Sequence, residues 1–344
     1  MSESGDYDPG PWTGHDFGTA RDDYDRHAGR SYENATTSGK TLKDLIPKFI
    51  TTDCGLPLII ITDETDSMQD WPAVMFSKMP WLDKEGREYI GEDGEISFMA
   101  IGDANSGRHD GSSGQEDYPL QVRPFAKGLE LKERIKELVL ERKGGGQTYE
   151  TYEIGALYCL HRVRTPKAIH KPVIIFIGDE QPYHEIHPDN AERLVGVKIE
   201  KPIKTSEVFK KLLEKFSVYL VRKPYERVSG DSMSPADRQI FNNWADLIGV
   251  DHIAPLAEAQ RVVDVILGIL AKETERIEYF RKEMEGRQSK DQQTTVFKSL
   301  HTIHTSAEAN LTEGRTQRSG KSIIRRGGGK PVADDDEDTM KPLL

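Results

Sequence analysis

Oxygen-bearing side chains gather at three places in this chain, and their types suit a hard cation. The run LIIITDETDSM, Leu58 to Met68, places Asp63, Thr65 and Ser67 two residues apart in a D-x-T-x-S pattern. Gly145-Gly146-Gln147-Thr148 is a glycine-rich loop ending in a hydroxyl. Gly178-Asp179-Glu180 ends a second apolar run, PVIIFIGDE, and repeats the apolar-then-acid design of the first. Magnesium takes oxygen donors in octahedral geometry and sheds water reluctantly. Neutral hydroxyls leave such an ion under-neutralised, so it stays attractive to an incoming carboxylate. Asp66 and Glu180 bring further carboxylates close by. A plainer account has Asp66 or Ser67 and Thr148 capping helices, with Asp179 ending a strand in a turn.

These groups need elements to position them. Leu58 to Ile61 reads as a strand covered on both faces, as in the middle of a parallel sheet. Strands are expected at Leu56–Thr62, Ile96–Ile101, Leu120–Phe125, Val173–Ile177, Val218–Val221 and Asp251–Ala254. Helices are expected at Ser67–Met79, with Pro72 awkward near its first turn, and at Glu130–Arg142, Tyr149–Val163, Glu207–Phe216, Asp237–Ile248 and Ala257–Lys272. Alternation of this kind predicts an α/β fold, doubly wound, with a mostly parallel central sheet flanked by helices. Ligands of open α/β sheets bind at the carboxyl ends of strands. Each of the three polar clusters follows a strand or opens a helix. The spacing of two wraps Asp63, Thr65 and Ser67 around one turn as strand becomes helix, where the helix amino end is positive.

Composition bounds the rest. The chain has 344 residues, 36% hydrophobic and 31% charged, which suggests that part of it is not packed. Residues 1–40 read as disordered or draped on a surface, 41–275 as the packed domain, and 276–344 as a charged helical extension and disordered tail. The tail carries a basic stretch, Arg315 to Lys330, and an acidic run, Asp334 to Asp338. A formal net charge of −11 argues against general nucleic-acid binding, which needs a basic footprint. Two cysteines, Cys54 and Cys159, fit a reducing compartment. The sequence shows neither a run of membrane-span length nor an amino-terminal signal pattern. A cytoplasmic location is the expectation.

At these residues the chain resembles the von Willebrand factor A domain family, over roughly residues 55 to 270. The resemblance implies a Rossmann-like fold with a metal-ion-dependent adhesion site. Asp63, Thr65 and Ser67 match its first motif, Thr148 its later threonine and Asp179 its later aspartate; Thr151 is a fallback for Thr148. In the family the hydroxyls bind a divalent cation directly, the aspartates act directly or through water, and an acidic group of a partner protein completes the coordination. Magnesium is the implied ion, with manganese or calcium as substitutes. Asp66 and Glu180 stand where the family often has glycine; their charge either tightens cation binding, broadens it towards calcium or manganese, or weakens the ion's pull on an acidic partner group. By analogy with intracellular members, the resemblance implies a non-enzymatic adaptor, with an AAA+ ATPase or multiprotein assembly as partner.

Other residues carry less. His184, Glu185 and His187 lack a zinc spacing and read as a loop rim beside Asp179, with Tyr183 and His184 facing whatever docks. Asp103 is either an outer carboxylate or a loop-shaping residue. Trp71 and Trp81 are expected to pack the first helix. The loop from Asp103 to Tyr118 is long enough to belong to a docking surface. Arg318 to Ser322, RSGKS, lacks the glycine and preceding strand of a phosphate-binding loop. His161 has no nucleophile to serve. The rival reading is a metal-dependent phosphoester hydrolase using Asp63, Glu64, Asp66, Asp179 and Glu180, for which no clear base or phosphate clamp is visible. A scaffold with a vestigial pocket is the third.

Overall fold

The computed structural model describes residues 42–68, 71–105, 118–138, 148–226 and 233–304. The glycine run before Thr148, most of the Asp103–Tyr118 loop, the first 40 residues and the charged tail including RSGKS lie outside the described residues.

Six strands form the central sheet: β1 (Leu58–Asp63), β2 (Ile96–Ile101), β3 (Leu120–Val122), β4 (Val173–Gly178), β5 (Ser217–Arg222) and β6 (Ile253–Pro255). Their spatial order is β6-β5-β4-β1-β2-β3. Every neighbouring pair is parallel except β2 and β3. Every residue of β1, β2, β4 and β5 is buried, which is why these strands read as continuous rather than alternating apolar runs.

Alternate residues of each strand feed two separate cores. Leu58, Ile60, Phe98, Ile175, Ile177 and Val221 face one. That side is covered by α1 (Trp71–Ile90), α2 (Gly128–Lys136) and α6 (Val262–Glu273). Ile59, Ile61, Met99, Ile174, Phe176 and Leu220 face the other, under α3 (Tyr152–Arg162), α4 (Thr205–Lys215) and α5 (Pro235–Ile248). The fold is therefore α/β and doubly wound, as the alternation predicts. Strand order reverses between β1 and β4, the switch point at whose carboxyl edge such sheets open a crevice.

Two local departures bear on the site. Residues Asp66–Met68 form a 3-10 turn, and the helix begins only at Trp71. Pro72 thus occupies its first turn, where no backbone N–H is needed. The helix expected from Tyr149 begins at Tyr152, because Tyr149–Glu150 pairs in parallel with Gln181–Pro182.

Beyond Glu275 the chain continues as α7 (Ile277–Arg287) and α8 (Lys290–Leu300). The second helix falls where the sequence reading expects little structure. Ser289 and Gln292 form a capping box, and Phe280, Met284, Val296, Leu300 and Ile303 are buried in the core. A β-carbon on Gly268 would lie 2.2 Å from Leu300 Cδ1, so glycine is what lets α8 seat on α6. Leu300→Ala should therefore lower stability by about 2–4 kcal/mol in urea unfolding; a loss within experimental error would show that α8 is dispensable. Among the described residues, no helix is long and apolar enough to cross a membrane.

Candidate metal centre

The carboxyl ends of β1, β4 and β5 lie side by side, and a line of oxygens bridges them. Asp63 ends β1. Its Oδ1 accepts from the Thr65 backbone N–H at 2.9 Å and the Thr65 hydroxyl at 2.6 Å. Thr65 Oγ1 lies 3.1 Å from Ser67 Oγ. The Ser67 hydroxyl donates to Asp179 Oδ1 at 2.9 Å, and Asp179 directly follows β4. The parallel register of β1 and β4, Thr62 opposite Ile177, places these two strand ends together. The 3-10 turn carries Ser67 across the gap. Between Asp63 and Asp179 there are thus three close oxygen contacts, while Thr65 and Ser67 have only one hydroxyl hydrogen each to share among them.

Two further groups hold this line. The Tyr152 hydroxyl donates to Asp63 Oδ2 at 2.7 Å. Lys223, the residue after β5, places Nζ 2.6 Å from Asp179 Oδ2 and 2.9 Å from the Ser67 carbonyl oxygen. Neither appears among the candidates read from sequence.

Thr148 is placed differently from the other four. Its hydroxyl accepts from Gln181 Nε2 at 3.0 Å, and its carbonyl accepts from the Gln181 N–H at 3.1 Å. Gln181 is also held by Asn243. Thr148 is thus held by Gln181, two residues past Asp179, and no hydrogen bond among the described residues joins it to Asp63, Thr65, Ser67 or Asp179. Thr151 is buried and accepts from the Ala104 N–H at 2.8 Å, so its hydroxyl serves the loop after β2. Asp103 accepts from the Asn105 N–H at 2.7 Å and the Tyr183 hydroxyl at 3.0 Å. It shapes its own loop and anchors the next.

Acidic side chains are concentrated here. Asp63, Glu64, Asp103, Glu150, Glu153, Asp179 and Glu180 are all buried. Glu150 and Glu153 are additions that sequence reading did not single out. Burial, then repulsion from Asp179, lifts the Asp63 carboxyl to about 7 against its bonds to Thr65 and Tyr152. Burial, then repulsion from Asp63 and Asp179, lifts Glu180 to about 9, and its side chain hydrogen-bonds Glu150. Burial raises Asp179, opposed chiefly by Lys223. The crowding of like charges at low dielectric favours protons or cations.

The rim is aromatic. Tyr149 stacks on Tyr183 at 5.4 Å and meets His184 edge-on at 5.6 Å. His184 is exposed and His187 half-buried. Trp71 is buried in the sheet core, as expected, whereas the side chain of Trp81 lies outside the described residues.

The donor set Asp63, Thr65, Ser67 and Asp179 is all oxygen, half of it neutral, and so fits a hard divalent cation. Among the described residues no group of three or more His, Cys, Asp or Glu side chains is arranged to hold a metal; a set built half from hydroxyls falls outside that description.

No family model matches this chain, and no curated protein matches it. Solved structures do. The pilus adhesin SpaC of Lactobacillus rhamnosus GG is similar over 66% of this chain and 32% of its own, at 10% identity and a TM-score of 0.46. Proximal thread matrix protein 1 from the mussel byssus is similar over 64% of this chain and 48% of its own, at 12% identity and a TM-score of 0.40. This chain therefore spans about a third of the adhesin and about half of the matrix protein.

Proposed function

We propose that this protein is a divalent-cation-dependent protein-binding module of the von Willebrand A type. The observation that carries the reading is the 2.9 Å contact between Ser67 Oγ and Asp179 Oδ1. It joins loops 112 residues apart at the switch point of the sheet, where such folds take ligands. Asp63, Thr65, Ser67 and Asp179 would hold the ion, magnesium first, with manganese or calcium as substitutes. When bound, the ion supplies positive charge to a pocket of buried carboxylates that has little of its own. Thr148, bonded to Gln181 in the loop after β4, stands outside that hydrogen-bonded line and would be the fifth donor.

In this reading the partner is a protein that offers a carboxylate, and the Tyr149–Tyr183–His184 rim meets it. An adaptor for an AAA+ ATPase or a multiprotein assembly in the cytoplasm is the corresponding role. Both cysteines, Cys54 and Cys159, are buried and unpaired, which agrees with a reducing compartment.

Calorimetric titration of the full chain with magnesium and manganese tests the reading. The wild type should bind one ion. Ser67→Ala and Asp179→Asn should weaken binding at least about tenfold, since changes outside the direct ligands already cost 10–100-fold. Phosphoester turnover that requires the metal and vanishes in Asp179→Asn would instead establish the hydrolase.

A further inference from the structure

The position of Lys223 says something about how the site would be loaded, granted the metal reading just given. Its backbone N–H donates to the Gly178 carbonyl at 3.0 Å, which fixes the residue at the end of β5 beside β4. Its side chain is only 12% exposed, and that of Asp179 is fully buried. The ammonium spans the same two loops that Ser67 and Asp179 join, touching Asp179 Oδ2 and the Ser67 carbonyl. Both oxygens of Asp179 are therefore taken, one by the Ser67 hydroxyl and one by Lys223. A divalent ion sharing Ser67 and Asp179 meets a positive charge held on one of its own ligands. Like charges a few ångströms apart in a site largely closed to water repel by several times what they would in bulk.

We infer that Lys223 is a tethered counter-cation that competes with the divalent ion for Asp179 and holds the site at low affinity. The ammonium occupies Asp179 in the ion-free protein and lets go as the ion binds. The length and flexibility of a lysine stem permit this exchange.

The test uses the full chain, wild type and the variants Lys223→Gln, Lys223→Met and Lys223→Arg. It titrates magnesium and manganese by calorimetry and follows thermal unfolding in chelator and in excess magnesium. Both neutral variants should bind the ion at least about tenfold more tightly than wild type, whereas Lys223→Arg, which keeps the charge, should not. The neutral variants should also melt earlier than wild type in chelator, having left Asp179 without its cation, and magnesium should restore them. Wild-type binding with no tightening in either neutral variant overturns the role given to Lys223 and leaves the metal site standing. Absence of binding by wild type and variants alike overturns the metal reading, and this inference with it.

Discussion

Gly178→Ala is expected to destabilise the protein by roughly 3 kcal/mol or more, near the upper end for overpacking a core, and to abolish cation binding. A β-carbon at this position would stand 1.7 Å from the Tyr152 hydroxyl oxygen and 2.7 Å from Cζ. Tyr152 has no room to retreat. Its ring meets Trp244 edge-on at 5.1 Å and Phe176 at 6.1 Å, and the residue is fully buried. Any shift also breaks its 2.7 Å bond to Asp63. A single added methyl thus disturbs the core and the proposed first ligand together. Urea unfolding and manganese titration read the two effects separately. The double variant Gly178→Ala with Tyr152→Phe should fall short of the sum of the singles, because the second change removes the worst-clashing atom. Wild-type stability and affinity in Gly178→Ala would show that the tyrosine is not held as the geometry requires.

The same local geometry explains how much of the site could be read in advance. The two apolar runs ending in acids were legible because burial on both faces leaves strands no polar residue until they leave the sheet. Their convergence follows from β1 and β4 being neighbours. The order Asp63, Thr65, Ser67, Asp179 was therefore accessible from types and spacing. Thr148 was less so, because its place depends on a two-residue pairing with Gln181–Pro182 that has no periodic signature. Lys223 and Tyr152 escaped for another reason: a lysine after a strand or a tyrosine opening a helix is ordinary until the partner strand is known. The helix at Lys290–Leu300 had a local signal, Ser289 with Gln292 three residues on. The density of charge around it hid the stripe of Val296, Leu300 and Ile303.

The buried carboxylates also fix how stability should vary with pH. Asp63 keeps its proton in the folded chain up to about 7, against 3.8 for an ordinary aspartate; Glu180 keeps its own to about 9, against 4.5. Between those values the folded state binds more protons than the unfolded one, so stability falls as pH rises. His161, whose pKa burial lowers from 6.5, gives an opposite slope below that pH. Burial lowers Lys78 to about 8, which opposes the slope above it. From pH 6.5 to 8 the carboxylates act alone among these groups. In chelator, stability should drop across this interval by on the order of a few kcal/mol. Asp63→Asn should flatten the part up to about 7 and leave the protein more stable than wild type at pH 8. Saturating magnesium should remove the decline in the wild type, since an ion that binds only the folded state stabilises it by mass action and holds its ligands ionised. Urea midpoints at pH 5, 6.5 and 8, with chelator and with magnesium, measure all of this. Wild-type stability that holds level or climbs from pH 6.5 to 8 in chelator would mean the acids are already neutralised by groups of the protein itself, leaving no unmet charge for a cation to satisfy.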